Sequence, residues 1–352
     1  MPLLARMVAA PLTIDVRSGA VAGLGGLLSD RRISAHGDVA LVVGPGQGEH
    51  VLSVLDEALD DSAEVFPVNG GTIEAAERLA DALRRGSHDA VVGIGGGRTL
   101  DVAKFAASHV GLPMVSVATS LAHDGLASPV ASLEHGGHKG SYGVHIPIGV
   151  VVDLDYVRRA PLEQLRSGVG DALSNLNAVA DWRLAGAERG EPVDGLAAAL
   201  ARTGGESILH HDDELLADAF LTTLSEALVL GGLAMAVAGS SRPCSGSCHE
   251  IAHAVDALHP GHGAHGEQVA VGALFCSWLR DDPFVGELDG CLRRYGVPRL
   301  PGDLGLTVED FSAVVAHAPT TRPERYTILE HLDMDLPRIR QRVDDFVHTF
   351  DR

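Results

Sequence analysis

Over the first 155 residues, short apolar runs alternate with longer stretches of helical spacing. Val39–Val43, Ala63–Val68, Ala90–Ile94 and Met114–Ala118 are β-rich runs that end near Gly, Asn or Thr, and Ile148–Asp153 reads as one more. Between them, Glu49–Leu59 and Thr72–Arg85 repeat their apolar positions at helical intervals. Such alternation predicts a parallel sheet with crossover helices. The Gly-rich stretch from Val130 to Pro147 reads as a β-hairpin or excursion. After Tyr156 the texture changes. Gly168–Leu184, Asp212–Ala238, Cys248–Leu258, Glu267–Leu279 and Pro283–Tyr295 all carry helical patterns, with Pro- and Gly-rich joints at His259–Gly266 and Val297–Gly305. The expectation is an α/β domain over 1–155 and an all-α domain over 156–352.

A chain of 352 residues has room for two such domains. Aromatics are only 4% of it, so aliphatic side chains must fill the cores, and 42 glycines suit many tight βα turns. The net charge of -20 argues against nucleic-acid binding, which needs a basic face. An anionic substrate stays open, because a metal ion or a helix N-terminus supplies local positive potential. Four cysteines in a chain this long are no disulfide framework. The opening MPLLARMVAAPLTIDVRSG lacks a sustained apolar core. No run reaches the roughly 18 charge-free residues of a membrane span, and Leu228 to Ala238 is apolar but short. These features predict a cytoplasmic protein with reduced thiols and no membrane insertion.

Chemistry concentrates in three places. Val91 to Asp101 is a strand, a glycine run (Gly95, Gly96, Gly97) and a helix start. Glycines there let backbone approach a phosphate, and helix N–H groups would face it, with Thr99 or Asp101 as caps; a plain βα turn has the same pattern. The segment Ala118 to Pro129 follows the next strand. It is rich in small hydroxyl residues and brings His123 and Asp124 to the carboxyl end of the sheet, where α/β proteins bind ligands; Asp124 and Ser128 could equally be local caps. The third place is Cys248-His249-Glu250-Ile251-Ala252-His253, with two histidines on one helical face, followed by His265-Gly266-Glu267. That is a metal constellation. Asp171, in the first turn of the helix that opens the second domain, would complete it as a hard oxygen ligand and leave a position for substrate.

His249-Glu250-x-x-His253 also satisfies the zinc-protease pattern, with His259 where a third histidine would fall. The extended form of that motif needs Gly where Asp256 stands, and a protease has no use for a nucleotide-binding half.

Five ordered motifs, GIGGGRTLDVAK, ATSLAHDGLASP, SGVGDALSNLNAVADWRLA, SSRPCSGSCHEIAHAVDALHPGHGAHGEQVAVG and TRPERYTILEHL, together resemble the sn-glycerol-1-phosphate dehydrogenase family from Gly93 to Leu329. That family sits among the dehydroquinate synthases, glycerol dehydrogenases and iron-type alcohol dehydrogenases. The resemblance implies a Rossmann-like N-terminal domain, a helical C-terminal domain of the dehydroquinate synthase type, a site in the cleft between them, and a homo-oligomer. It implies that NAD or NADP lies along Gly95, Gly96, Gly97, Arg98, Thr99, Leu100 and Asp101, and along Thr119, Ser120, Leu121, Ala122 and Ser128. It implies that Asp171, His249 and His265 bind Zn2+. Asp124, His253 and Asp171 are the implied catalytic residues, with His253 a proton carrier and not a ligand. The implied reaction is the reversible reduction of dihydroxyacetone phosphate to sn-glycerol 1-phosphate, a step of phospholipid metabolism.

Departures from the pattern bear on the substrate. Where a Lys-Tyr-Thr-like stretch is expected, this chain has Asn175-Leu176-Asn177, and Cys248 replaces an expected acidic residue. Only two lysines exist, Lys104 and Lys139. A related polyol-type or hydroxy-carbonyl substrate is therefore an alternative. So are a cyclase of the dehydroquinate synthase type, which normally has Glu where Asp171 stands, and a non-catalytic nucleotide- or metal-binding protein on the same scaffold. The loop Asn69-Gly70-Gly71-Thr72 carries neither the acid that favours NAD nor the Arg that favours NADP.

Overall fold

The computed structural model describes residues 8–55 and 63–351. The chain divides into two compact units, Met1–Ala160 and Pro161–Arg352. The start of the opening segment, and the last part of the helix expected over Glu49–Leu59, lie outside the described residues.

The first unit is built on a parallel sheet. Its strands are β1 (Thr13–Arg17), β2 (Val39–Val43), β3 (Ala63–Pro67), β4 (Ala90–Gly95), β5 (Met114–Ala118) and β8 (Gly149–Asp153), in the order β1-β8-β5-β4-β2-β3. Every pairing is parallel. The inner strands β2, β4, β5 and β8 are buried at every position, which is why they read as unbroken apolar runs. The edge strand β1, Thr-Ile-Asp-Val-Arg, is half exposed and too polar to stand out in the sequence. It is held from the sheet side: Asp153, buried at the end of β8, accepts from the backbone N–H groups of Gly19 and Val21 at 3.1 and 3.0 Å. The excursion before β8 is an antiparallel pair, β6 (Val130–His135) and β7 (His138–Gly143). Gly136 and Gly137 make its turn with φ of 58° and 82°, the left-handed backbone that a two-residue hairpin requires.

The second unit is all helix. Its first helix runs from Leu162 to Arg189, well beyond the expected Gly168–Leu184, because Pro161 starts it early and Gly190 (φ 69°) ends it. Asp171 therefore lies deep inside this helix, not in its first turn. The helix Asp218–Ala238 is long and apolar enough to cross a membrane by length and composition, although Glu226 interrupts it and Leu228 to Ala238 is its charge-free end. Most of it is buried within the unit, where it packs on the Gly195–Leu209 and Leu162–Arg189 helices. Ser247–Leu258, His265–Leu279 and Val285–Tyr295 fall close to the expected helices. Gly195–Leu209, Val308–Thr321 and Leu336–Phe350 were not expected.

One buried carboxylate ties this unit together. Asp181, fully buried, accepts from Arg280 Nη1 at 2.7 Å, from Ser247 N–H at 2.7 Å and Ser247 O–H at 2.6 Å, and from Ile328 N–H at 3.0 Å. It joins the long helix to the starts of two others and neutralises a buried guanidinium. Removing one partner of a buried ion pair strands the other charge without water. Asp181→Ala is expected to lower the unfolding free energy by about 3–5 kcal/mol, read from urea denaturation; a loss below about 1 kcal/mol would show that the pair is screened like a surface one.

Candidate functional site

In the first unit, β4 and β5 are neighbours and end together, Gly95 opposite Ala118. Thr119 N–H donates to the Gly95 carbonyl at 3.0 Å, so the two loops that follow leave the sheet side by side. The first enters the Gly97–Val110 helix directly. Gly96 is its N-cap and brings no side-chain cap; Thr99 and Asp101 lie inside the helix and are buried, so neither caps it. An uncapped helix start at a strand's carboxyl end suits an anionic group. The glycines also answer to packing. A Cβ on Gly97 would run into the His123 ring, and one on Gly95 would lie 2.9 Å from Thr99.

From β2 the chain goes to β3, and from its neighbour β4 it goes the other way, to β5. Ligands of open α/β sheets bind at such a switch point. The segment after β2, Gly44-Pro45-Gly46-Gln47-Gly48, a turn that runs into the Gln47–Leu55 helix, was passed over in the sequence although its glycines directly follow an apolar strand. Gly44 N–H donates to the Ile94 carbonyl at 3.0 Å, and a Cβ on Gly44 would strike Thr99. Arg98 is exposed, and its stem lies against Gly71 of the loop after β3. Leu100 and Leu121 are buried in the core, so only their backbone can meet a ligand. Asp101 pairs with Lys104 at 2.9 Å. Lys104, 1% exposed, also donates to the Gly125 carbonyl at 2.6 Å and to the Val130 carbonyl. This buried lysine fixes the second loop to the helix. Within that loop Thr119, Ser120 and Ser128 are buried and Ala122 is partly open. Asp124, half-buried, opens a short 3-10 turn whose cap is His123, accepting from Gly125 N–H at 3.0 Å.

The second unit brings Asp171, His249 and His265 together: one ligand atom from each lies within 4.8 Å of the others. The approach is set by glycines next to the ligands. A Cβ on Gly170 would overlap the Gly266 carbonyl, and one on Gly266 the Ser167 carbonyl. The Leu162–Arg189 and His265–Leu279 helices thus cross in contact, with Asp171 and His265 beside the crossing. Gly266 N–H donates to Ser167 Oγ at 3.0 Å there. On the other side, a Cβ on Gly272 would lie 2.9 Å from the Cys248 carbonyl, which brings the Ser247–Leu258 helix and His249 equally close.

The donor set fits a divalent cation such as zinc: one carboxylate oxygen and two imidazoles. His249 Nε2 is 3.8 Å from Asp171 Oδ1, while its Nδ1 is 3.4 Å from Cys248 Sγ. Burial, then the charges of His265, His253, Arg325 and Arg322, hold the His249 imidazolium well below its usual pKa, so the ring is neutral, the form that binds metal. Burial pushes the Cys248 thiol up to about 12. It stays protonated, its sulfur 3.8 Å from the Ser174 carbonyl. Where an acid was expected, a neutral thiol sits behind the histidine.

His253 does not join the cluster. Its Nε2 lies 3.3 Å from Arg322 Nη2, and its ring centroid is 6.4 Å from that of His265. A guanidinium only donates, so Nε2 accepts and a neutral His253 carries its proton on Nδ1. Nothing is left for a protease. His259 packs on His262, at 5.9 Å between ring centroids. Glu250, which would have to be the base, is fully buried against Thr327 Oγ1 at 3.1 Å and pushed up to about 9, by burial first and then by Glu330 and Asp181. Asn177 is not open to a substrate either: fully buried, its Oδ1 accepts from Cys248 N–H at 3.3 Å and lies 3.1 Å from Ser247 Oγ, whose one proton goes to Asp181. Asn175 is 3% exposed, one turn after Asp171 on the same helix face.

Because no Cβ fits at the crossing, Gly266→Ala is expected to push the two helices apart. It should lower the unfolding free energy by about 1–3 kcal/mol and weaken binding of divalent metal, measured by thermal unfolding with and without metal. Wild-type stability with wild-type metal affinity would mean that the crossing gives way freely and does not set the ligands.

Comparison with known proteins gives the family and the fold. The pattern of the iron-containing alcohol dehydrogenases matches residues 15–161. Glycerol-1-phosphate dehydrogenase (NAD(P)+) of Hyperthermus butylicus is 35% identical over 326 residues, covering 91% of this chain and 92% of that protein. The enzyme of the same name from Thermofilum pendens is 39% identical over 330 residues, covering 92% and 94%. In fold, a probable glycerol dehydrogenase from Sinorhizobium meliloti superposes with a TM-score of 0.78 at 22% identity, covering 99% of both chains. The α/β unit with parallel sheet and the all-α unit are those of the iron-type alcohol dehydrogenase fold. On the strength of identities of this size over nine-tenths of its length, the chain belongs to the glycerol-1-phosphate dehydrogenase family.

Proposed function

We propose that this protein interconverts dihydroxyacetone phosphate and sn-glycerol 1-phosphate, using NAD or NADP and a zinc ion held by Asp171, His249 and His265. The observation that carries it is the convergence of those three side chains in a chain of this family. The uncapped start of the Gly97–Val110 helix and the segments Gly44–Gly48 and Thr119–Ser128 would hold the dinucleotide. Bound there, zinc supplies a Lewis acid for the C2 carbonyl and the nicotinamide supplies hydride.

The chain's own residues do the rest. Asp171 offsets part of the metal's charge and leaves the site net positive, which favours an anionic substrate in an acidic protein. Cys248, behind His249 Nδ1, holds that ring with Nε2 toward Asp171. His253 can give its Nδ1 proton to the C2 oxygen of the product, and Arg322 fixes the tautomer by donating to Nε2. Asp124 is, by the family resemblance, a further substrate contact.

Asp171→Ala, His249→Ala and His265→Ala are expected to lose bound zinc and activity together, measured as zinc per chain and rate. His253→Ala should keep its zinc and lose roughly 10²- to 10⁴-fold in kcat, the usual worth of a positioned acid. Zinc missing from His253→Ala but kept by His265→Ala would overturn the ligand assignment. The reaction is tested by mixing zinc-loaded protein with dihydroxyacetone phosphate and NADH or NADPH. Nicotinamide absorbance should fall, and chiral analysis should return sn-glycerol 1-phosphate. Cofactor binding with no net oxidation would point instead to a cyclase or a shifted substrate.

A further inference from the structure

Dihydroxyacetone phosphate is a dianion, and Asn175 stands where the family resemblance leads one to expect a lysine. The second unit contains no lysine at all: Lys104 and Lys139 both lie in the first. Lys104 is consumed by Asp101 and backbone carbonyls. The permanently charged cations of the second unit are therefore all arginines.

The arginines of that unit are not equivalent. Arg280 is bound to Asp181 at 2.7 Å, and Arg242 makes two contacts of 2.7 Å with Glu191. Arg325 is committed to the Ser245 carbonyl and to Ser241 Oγ, the latter at 2.6 Å. Arg322 stands elsewhere. It is the first residue past the Val308–Thr321 helix, and the hydroxyl of the residue before it, Thr321, bonds its own helix and lies 3.5 Å from the Glu250 carbonyl on the Ser247–Leu258 helix. Its guanidinium reaches the substrate-side histidine, His253, at 3.3 Å, and its side chain is partly open to solvent.

Resting on the reaction read above, we propose that Arg322 is the phosphate anchor of this site, with Arg325 behind it, and that this pair replaces the lysine missing at Asn175. A guanidinium grips phosphate with two parallel N–H donors, which a lysine cannot do. The contact of Arg322 with His253 keeps its guanidinium next to the histidine assigned as proton carrier, one residue away from the metal cluster. The charge pattern agrees. Burial, and then repulsion from Arg322 and Arg242, bring the Arg325 guanidinium down to about 10. It remains charged at neutral pH, and a bound anion would ease the repulsion between these guanidinium groups.

The test compares zinc-loaded wild type, Arg322→Met and Arg322→Lys on dihydroxyacetone phosphate and on dihydroxyacetone, which lacks the phosphate. Binding of inorganic phosphate is followed by calorimetry and folding by circular dichroism. The ratio of kcat/KM between the two substrates should fall roughly 10- to 100-fold in Arg322→Met, as expected for a lost charge-assisted contact. Arg322→Lys should lose less, and phosphate affinity should drop in parallel. Equal losses on both substrates, with phosphate binding unchanged, would mean that Arg322 only holds His253, and would overturn the anchor. Phosphate binding that depends on Arg322 in a wild type that reduces neither substrate would sustain the anchor while overturning the reaction proposed above.

Discussion

The candidate metal cluster depends on two helices touching backbone to backbone. Gly170 and Gly266 meet where no side chain fits, and each is the immediate neighbour of a ligand, Asp171 or His265. A Cβ at either position would push the helices apart by more than an ångström-scale site tolerates. Gly272 against Cys248 does the same for His249. The ligands are thus aimed by main-chain contact and not by flexible side chains, and sites built on rigid elements hold their geometry best.

Such close packing brings polar groups into the interior, where a few buried side chains gather several donors each, while Asn177 Nδ2, Glu250 Oε1 and Arg280 Nη2 find no partner among the described residues. Asp181 takes four donors from three segments, and Asn177 Oδ1 takes the Cys248 N–H at the start of the Ser247–Leu258 helix. Buried donors left alone would each cost about 1–3 kcal/mol. The same low-dielectric surroundings set the protonation of the site: a neutral His249, a protonated Cys248 and a protonated Glu250 all follow first from desolvation. The dry polar layer around the cluster is therefore both its scaffold and the source of its chemistry.

In the first unit the corresponding device is Lys104. A buried ammonium pairs with Asp101 and gathers carbonyls from a neighbouring loop. That loop carries His123 and Asp124, so an apparently catalytic type of residue, a lysine in a ligand-binding domain, here works as an internal clamp.

The sequence by itself determined the inner strands, the hairpin, the helices around the histidines and the pairing of His249 with His253 on one face. All of these rest on periodicity over a few residues, which apolar runs and glycine turns write plainly. It also supplied the motifs that led to the family. The edge strand β1 was not legible, because an edge strand need not be apolar, nor were the Gly195–Leu209, Val308–Thr321 and Leu336–Phe350 helices. Tertiary structure alone decided that Asp171 sits deep in a long helix beside His265, that Asn177 and Glu250 are packed away, that Gly44–Gly48 borders the glycine turn, and that Arg322 meets His253. Each of those facts joins residues far apart in the chain, and local pattern carries no record of which helices will cross.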